Sequence, residues 1–285
     1  MIDVVLVTGH EEPHGPDPET PLLLAALEDL GLSAVMEPWG SEASGQGRLV
    51  VIRTPWDYVD RRDEFLAWAR EIESATRLLN PLDVLDWNSH KSYLLDLAYA
   101  AVPVIPTALV PREASEDDQL AALQEYEGEV VIKPAVSVGA IGARLMGAKS
   151  PEAAGHLRAL IATGDALVQP FEPTVVDGET SLVYFGGELS HSVRKIPAEG
   201  DYRVQIFHGG TVESHVATAE EQEVAALALL AVTTELAYGR VDLVATARGP
   251  VVMELELIEP QLFLEADSSA PARFAEYLQS LLTTA

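Results

Sequence analysis

At 285 residues, with 48% apolar and 22% charged side chains, the chain has the balance of a globular protein but is long for one compact core, so two or three lobes are expected. The absence of cysteine excludes a disulfide framework and any thiolate metal site; no apolar run is long enough for a membrane-spanning helix, and the short apolar start lacks the basic flank of a signal peptide, so a cytoplasmic protein is expected. Eighteen basic against 45 acidic residues give a net charge of −27, a field that repels nucleic acid and anionic membrane; most of the acid reads as solvated surface, and the few cations, above all Lys91, Lys133, Lys149 and Lys195, become the candidate partners of any anionic ligand.

Residues 2–8 form a continuous apolar run, the pattern of a buried parallel strand. The stretch 9–20 predicts a loop, and its His10-Glu11-Glu12-Pro13-His14 cluster reads as a ligand-facing loop beyond the first strand rather than a metal site. Thr20-Pro21 predicts a helix to about Leu30, with Thr20 as N-cap and Gly31 as terminator. Strands are predicted at 33–37, 48–53 and 77–79, and helices at 61–75 and 89–100. This alternation implies an open parallel sheet with helices on both faces. Two prolines in Val102-Pro103-Val104-Ile105-Pro106 predict a linker or edge strand. Strand 129–133, a glycine-bearing loop, strand 143–146, helix 151–162 and strand 166–169 follow. Long strands then dominate, at 179–185, 188–196, 202–207, 211–216, 240–245 and 250–257, with helices at 219–236 and about 270–283. Gly186-Gly187 and Gly209-Gly210 read as two-residue hairpin turns. The second half is therefore an antiparallel α+β assembly.

Three constellations carry candidate chemistry. Lys133 ends a buried strand and is followed by Pro134 and the small-residue loop Ser137-Val138-Gly139-Ala140-Ile141-Gly142. Such a loop can bring backbone N–H groups to phosphate oxygens while the lysine supplies a point charge, although a plain hairpin with a surface-reaching lysine has the same pattern. Glu254 and Glu256, two apart on a strand, point to one face, and a neighbouring strand can bring Asp242 beside them. Three carboxylates on one face repel unless a cation sits among them, and oxygen-only ligands suit Mg²⁺; a solvated sheet face is the alternative. Arg194, Lys195 and Arg203, on strands expected to be adjacent, can meet a phosphate or a substrate carboxylate, or simply pair with surface acids.

The order Asn88/Lys91, Lys133-Pro134, small-residue loop, Gln169-Pro170-Phe171, Gly178-Glu179, Arg194, Asp242, Glu254-x-Glu256 resembles the ATP-grasp ligases over about residues 80–265. The likeness is strongest to glutathione synthetase-like members, and in particular to the cyclo-ligase type that closes O-ureido-D-serine to cycloserine. Arg53-Thr-Pro-Trp-Asp-Tyr and the run from Glu254 to Leu264 resemble segments of that group. The resemblance implies an ATP-grasp fold, α/β and α+β, with an N-terminal parallel α/β lobe over 1–101 and two α+β subdomains, 102–170 and 171–285, enclosing ATP. It also implies roles. Lys91 and Lys133 contact the ATP phosphates, and Ser137, Gly139 and Gly142 belong to the loop closing over them. Gln169, Pro170 and Phe171 form the hinge beside adenine, and Glu179 lies near the ribose. Asp242, Glu254 and Glu256 hold one or two Mg²⁺, with Mn²⁺ as a substitute. Arg194, with Lys195 and Arg203, steadies charge on the transferred phosphoryl group. Arg53, Trp56, Asp57 and Glu259 are the substrate-side candidates. Val138, Ala140 and Ile141 stand where many relatives are richer in glycine. The implied activity is a carboxylate–amine ligation on a small amino-acid-like metabolite, joining two molecules or cyclising one, through an acyl phosphate with release of ADP and phosphate. A ligase acting on a protein or carrier-bound substrate and a nucleotide-binding regulator without turnover are the alternatives, and self-association is left open.

Overall fold

The computed structural model describes residues 2–10 and 17–283, so Glu11 to His14 of the early cluster lie outside the described residues. The first strands are β1 (Ile2–Thr8), β2 (Ala34–Pro38), β3 (Gly47–Thr54) and β4 (Arg77–Leu79), and they form a parallel sheet in the order β2-β1-β3-β4. Alternation along the strands assigns the two faces. Val5, Val7, Val50 and Ile52 pack under helix α2 (Arg62–Ala75) through Phe65, Trp68 and Ala69. Val4, Leu6, Leu49 and Val51 pack under α1 (Thr20–Asp29) through Leu23 and Leu27.

Two short helices, α3 (Leu82–Asn88) and α4 (Tyr93–Tyr99), lead to an antiparallel sheet. Its strands are β5 (Ala108–Val110), β6 (Glu129–Pro134), β7 (Arg144–Gly147) and β8 (Ala166–Pro170), in the order β5-β8-β6-β7. Helices α5 (Glu116–Gln124) and α6 (Pro151–Ile161) close its core. The third sheet holds β9 (Glu179–Phe185), β10 (Glu188–Ile196), β11 (Thr211–His215), β12 (Tyr238–Thr246) and β13 (Gly249–Glu256), in the antiparallel order β11-β10-β9-β12-β13. Helix α7 (Ala219–Leu230) packs on β12 and β13, whereas α8 (Ala270–Thr283) returns to the first lobe and joins α1 in the core with Phe274 and Leu278. The hairpin at Gly186-Gly187 is present, both glycines having positive φ.

Four local expectations are corrected. Thr20 is the first residue of α1 rather than its cap; the Asp17 carboxylate accepts the amides of Glu19 and Thr20 at 2.9 and 3.1 Å. The helix expected at 89–100 starts at Tyr93, and α3 precedes it. Between the two, Ser89 donates to the Asp86 carbonyl and His90 engages Ser92, local bonds that compete with a continuous helix. Residues 202–207 are not a strand. The Asp201 carboxylate takes the amides of Tyr202 and Arg203, a 3₁₀ turn covers Ile206–His208, and Gly210 donates to the Gln205 carbonyl, so Gly209-Gly210 is no hairpin turn. Helix α7 stops at Leu230, before the β-branched run Val232-Thr233-Thr234.

Glu19 ties the first lobe to the segment after β13. It is buried, accepts the amides of Leu262 and Phe263 at 2.7 Å each, and pairs with the fully buried Arg53, which also donates to the Pro260 carbonyl. Burial raises the Glu19 carboxyl to about 7 against the pull of Arg53 and the Leu262 amide. Glu19→Gln leaves a buried guanidinium without its counter-charge, and we expect a loss of about 3–5 kcal/mol, read as a lowered melting temperature in thermal denaturation. An unchanged melting temperature would reject this tie as a stabilising contact.

Candidate active site

The antiparallel register sets a row of charge across the third sheet. Lys195 stands opposite Glu179, Ser181 opposite Asp242, Asp242 opposite Glu254, and Arg240 opposite Glu256. The period of two sends Glu254 and Glu256 to the row while Leu255 and Leu257 enter the core. Lys133, from the end of β6, and Lys91, from the break between α3 and α4, reach Glu254 at 2.8 and 3.3 Å. The break fixes Lys91 further through its amide, which donates to the Ala135 carbonyl. Lys195 pairs with Glu179 and, at 2.9 Å, with Asp242. Arg240 grips both oxygens of Asp242 at 2.9 Å and also meets Glu256. Ser181 donates to Asp242 at 2.6 Å.

The charged groups of the row, with Lys91 and Lys133, line a cavity of about 490 Å³. Its walls come from all three sheets: Trp56 and Tyr58 from the first lobe, Lys133 and Gln169 from the second, and the charged row from the third. Burial alone would raise the Asp242 and Glu254 carboxyls. Arg240 and Lys195 overcome it at Asp242, and Lys133 and Lys91 overcome it at Glu254, so both are held well below the usual carboxylate range. Burial prevails at Glu256, which is raised despite Arg240, and at Glu179, which rises to about 7 despite Lys195. Asp242, Glu254 and Glu256 each offer an oxygen within 4.8 Å of the others. A hard-oxygen set of that size fits Mg²⁺, which takes one or two carboxylates and completes its shell with phosphate and water.

Most of the sequence-predicted residues meet here. Lys91, Lys133, Ser137, Gly139, Gln169, Pro170, Phe171, Glu179, Lys195, Arg203, Asp242, Glu254, Glu256, Trp56 and Glu259 all line the cavity. Four others do not. Arg194 alternates with Lys195 and leaves the row; its stem lies against Gly178, where a Cβ would come within 2.8 Å of it. Gly142 supports the loop from behind, since a Cβ there would meet the Pro134 ring at 2.8 Å. Arg53 is spent on Glu19, and Asp57 accepts the Trp39 indole N–H and the His10 amide. Arg203 does not sit on an adjacent strand; it lies in the 201–205 loop, paired with Asp201. The sequence reading missed Arg240, although its spacing of two from Asp242 was the available signal. It also missed Tyr58, Tyr202 and Met253, which carry no charge pattern.

Comparison with known proteins adds relatives of the same architecture. Residues 4–80 match the family described as D-cycloserine synthetase DcsG, N-terminal domain, and residues 96–245 match that described as prokaryotic glutathione synthetase, ATP-grasp domain. The chain is 33% identical to the cycloserine biosynthesis protein DcsG of Streptomyces lavendulae, covering 93% of this chain and 94% of that protein. It is similar to the crystal structure of D-cycloserine synthetase DcsG, with a TM-score of 0.87 and 32% identity over 98% of this chain and 99% of that one. D-alanine–D-alanine ligase from Bacillus anthracis shares the fold, with a TM-score of 0.72 at 13% identity over 98% and 97% of the two chains.

Arg240 is the main counter-charge of Asp242 and Glu256, two members of the carboxylate trio, so its removal tests whether that trio takes a metal. In Arg240→Met we expect a destabilisation of about 3–5 kcal/mol without divalent ions. Millimolar Mg²⁺ should raise its melting temperature by several degrees more than it raises that of the wild type. Equal, small Mg²⁺ shifts in both proteins would remove the metal assignment.

Proposed function

The chain belongs to the ATP-grasp ligases, and from that membership we propose that it phosphorylates the carboxylate of a small amino-acid-like substrate and passes the acyl group to an amine nitrogen. The observation that carries this reading is the meeting of Asp242, Glu254 and Glu256 with Lys91, Lys133, Lys195 and Arg240 on one cavity wall. In this reading Lys91 and Lys133 hold the phosphates of ATP, supported by their convergence on Glu254. Gln169, Pro170 and Phe171 form the adenine side, and Glu179 the ribose side. Bound Mg²⁺ would be held by Asp242, Glu254 and Glu256 and would supply neutralisation of the phosphate charge.

The substrate carboxylate attacks the γ-phosphorus; an O–P bond forms, the bond to the β-phosphate oxygen breaks, and ADP leaves. The amine nitrogen then attacks the acyl carbon, loses its proton, and phosphate departs. Arg240 and Lys195, already fixed by Asp242, are the cations that steady the charge gathered in both steps. Burial of the row excludes water that would hydrolyse the acyl phosphate. No side-chain nucleophile enters. Likeness to D-cycloserine synthetase over nearly the whole chain favours a nitrogen on the same molecule, so that the reaction closes a ring. O-ureido-D-serine, which the resemblance of the sequence to the cyclo-ligase type brings in, is the substrate that this reading selects; its oxygen-bound nitrogen attacks, and hydrolysis removes the carbamoyl group from that nitrogen.

Wild-type protein with Mg²⁺·ATP should release ADP only when a suitable amino acid is added, and O-ureido-D-serine should stimulate most in a panel of small amino acids. Nucleotide binding without substrate-stimulated ADP release would sink the ligase reading.

Two variants divide the nucleotide half of the site. Lys133→Ala should weaken ATP binding roughly 10–100-fold, the effect of losing a hydrogen bond to a charged group, measured by calorimetry. Glu254→Gln should keep the fold and lose most Mg²⁺-dependent turnover. Wild-type affinity in the first, or wild-type turnover in the second, would count against the assigned roles.

A further inference from the structure

Among the carboxylates that line the cavity, Glu179, Asp242, Glu254 and Glu256 each have a cationic partner. Glu172 caps the 3₁₀ turn at Pro173–Asp177 through the Thr174 amide and hydroxyl. Glu259 differs. No ion pair joins it to a cation among the described residues, and its carboxyl shares a hydrogen bond with the neutral Tyr58 hydroxyl. Lys91, the cation whose field reaches it, is committed to Glu254.

We propose that Glu259 binds the ammonium group of the substrate, so that the cavity selects an α-amino acid over its deaminated counterpart. This deepens the ligase reading and rests on it. Three features support it. Glu259 is held in place on both sides, with the Trp56 indole N–H donating to its carbonyl at 3.3 Å and the Pro260 carbonyl receiving Arg53. Its side chain therefore has a fixed base from which to define a subsite. It also stands outside the Asp242, Glu254 and Glu256 set, so a metal beside it would lack the grouped oxygens that Mg²⁺ requires. Finally, burial pushes its carboxyl up to about 8, with Glu256 adding to the rise and Lys91 opposing it. A carboxyl in that setting is completed by a positive group from the ligand. An ammonium donates to it in a charge-assisted bond, and a hydroxyl in the same place does not bring the charge.

The test uses the full chain with Mg²⁺·ADP and two probes differing at one group, D-serine and D-glycerate. The wild type is expected to bind D-serine roughly 10–100-fold more tightly, the range for a charged hydrogen bond. Glu259→Gln should lose that preference while its melting temperature and Mg²⁺·ADP affinity stay at wild-type values. Tyr58→Phe, which leaves the carboxylate but removes the side-chain donor that orients it, should reduce the preference by a smaller factor. A Glu259→Gln protein that still prefers D-serine overturns the proposal, as does a wild type without preference. Loss of one bound Mn²⁺ in Glu259→Gln, counted by electron paramagnetic resonance, also overturns it by giving the carboxylate to a metal. Should Glu259→Gln fail to fold, an undiminished preference in Tyr58→Phe overturns it. Substrate-stimulated ADP release by the wild type is measured alongside, so that failure of the ligase reading is seen separately.

Discussion

The outer edge of β13 is the constraint on which the site depends. An edge strand carries unpaired N–H and C=O groups, and here side chains and a linker satisfy them in place of another strand. Asn88 accepts the Leu257 amide and donates to the Leu255 carbonyl, and the Tyr93 hydroxyl accepts the Leu255 amide. Asn80 donates to the carbonyls of Tyr238 and Leu257 and accepts the Ala237 amide. Further along, Val252 exchanges bonds with Pro103 and Ile105. Every one of these groups comes from the chain before residue 106. They fix the register of the strand that carries Glu254 and Glu256, and a slip of one residue would turn both glutamates into the core.

That stitching makes a buried charge row possible. Four cations and four carboxylates in a partly dry site are costly, and pairing alone often does no more than offset desolvation. What such a row offers a ligase is charge in fixed places, because preorganised groups do not have to reorient when charge develops. Arg53 and Glu19 show the structural use of the same physics. Their pair lies outside the lining of the cavity and instead holds 260–263, the segment that follows Glu259. The phosphate-type loop shows local strain of another kind: Gly139 and Ala140 both have positive φ, a conformation that glycine enters freely and alanine at some cost.

The parts legible in the sequence are those written in local periodicity. The first-lobe strands were readable because buried parallel strands are continuous apolar runs, and the carboxylate pair because residues two apart share a face. The same rule would have found Arg240 beside Asp242. What was not readable depends on distant partners or on side chains bonding to their own backbone. Asp201 folds back on the amides of 202 and 203, so a strand-like sequence becomes a loop. Ser89 and Ser92 break a helix that composition would continue, and the break delivers Lys91 to the site. Glu259 meets Tyr58 across most of the chain length, a contact that no local pattern records.

The acidity of the chain finally makes physical sense against the placement of its lysines. A net charge of −27 repels a polyphosphate at long range. Yet three of the four lysines, Lys91, Lys133 and Lys195, line one cavity, and the fourth, Lys149, pairs with Glu127 at the surface. Long-range repulsion between solvated charges fades within a Debye length of about 8 Å at physiological salt, whereas cations in a low-dielectric cleft act at close range and are little screened. The exterior can therefore stay acidic, which favours solubility, while the cavity keeps cations, each held by a carboxylate, within reach of an anion that has entered. What an entering anion meets is therefore decided inside the cavity, by the few cations that the fold withdraws from the surface.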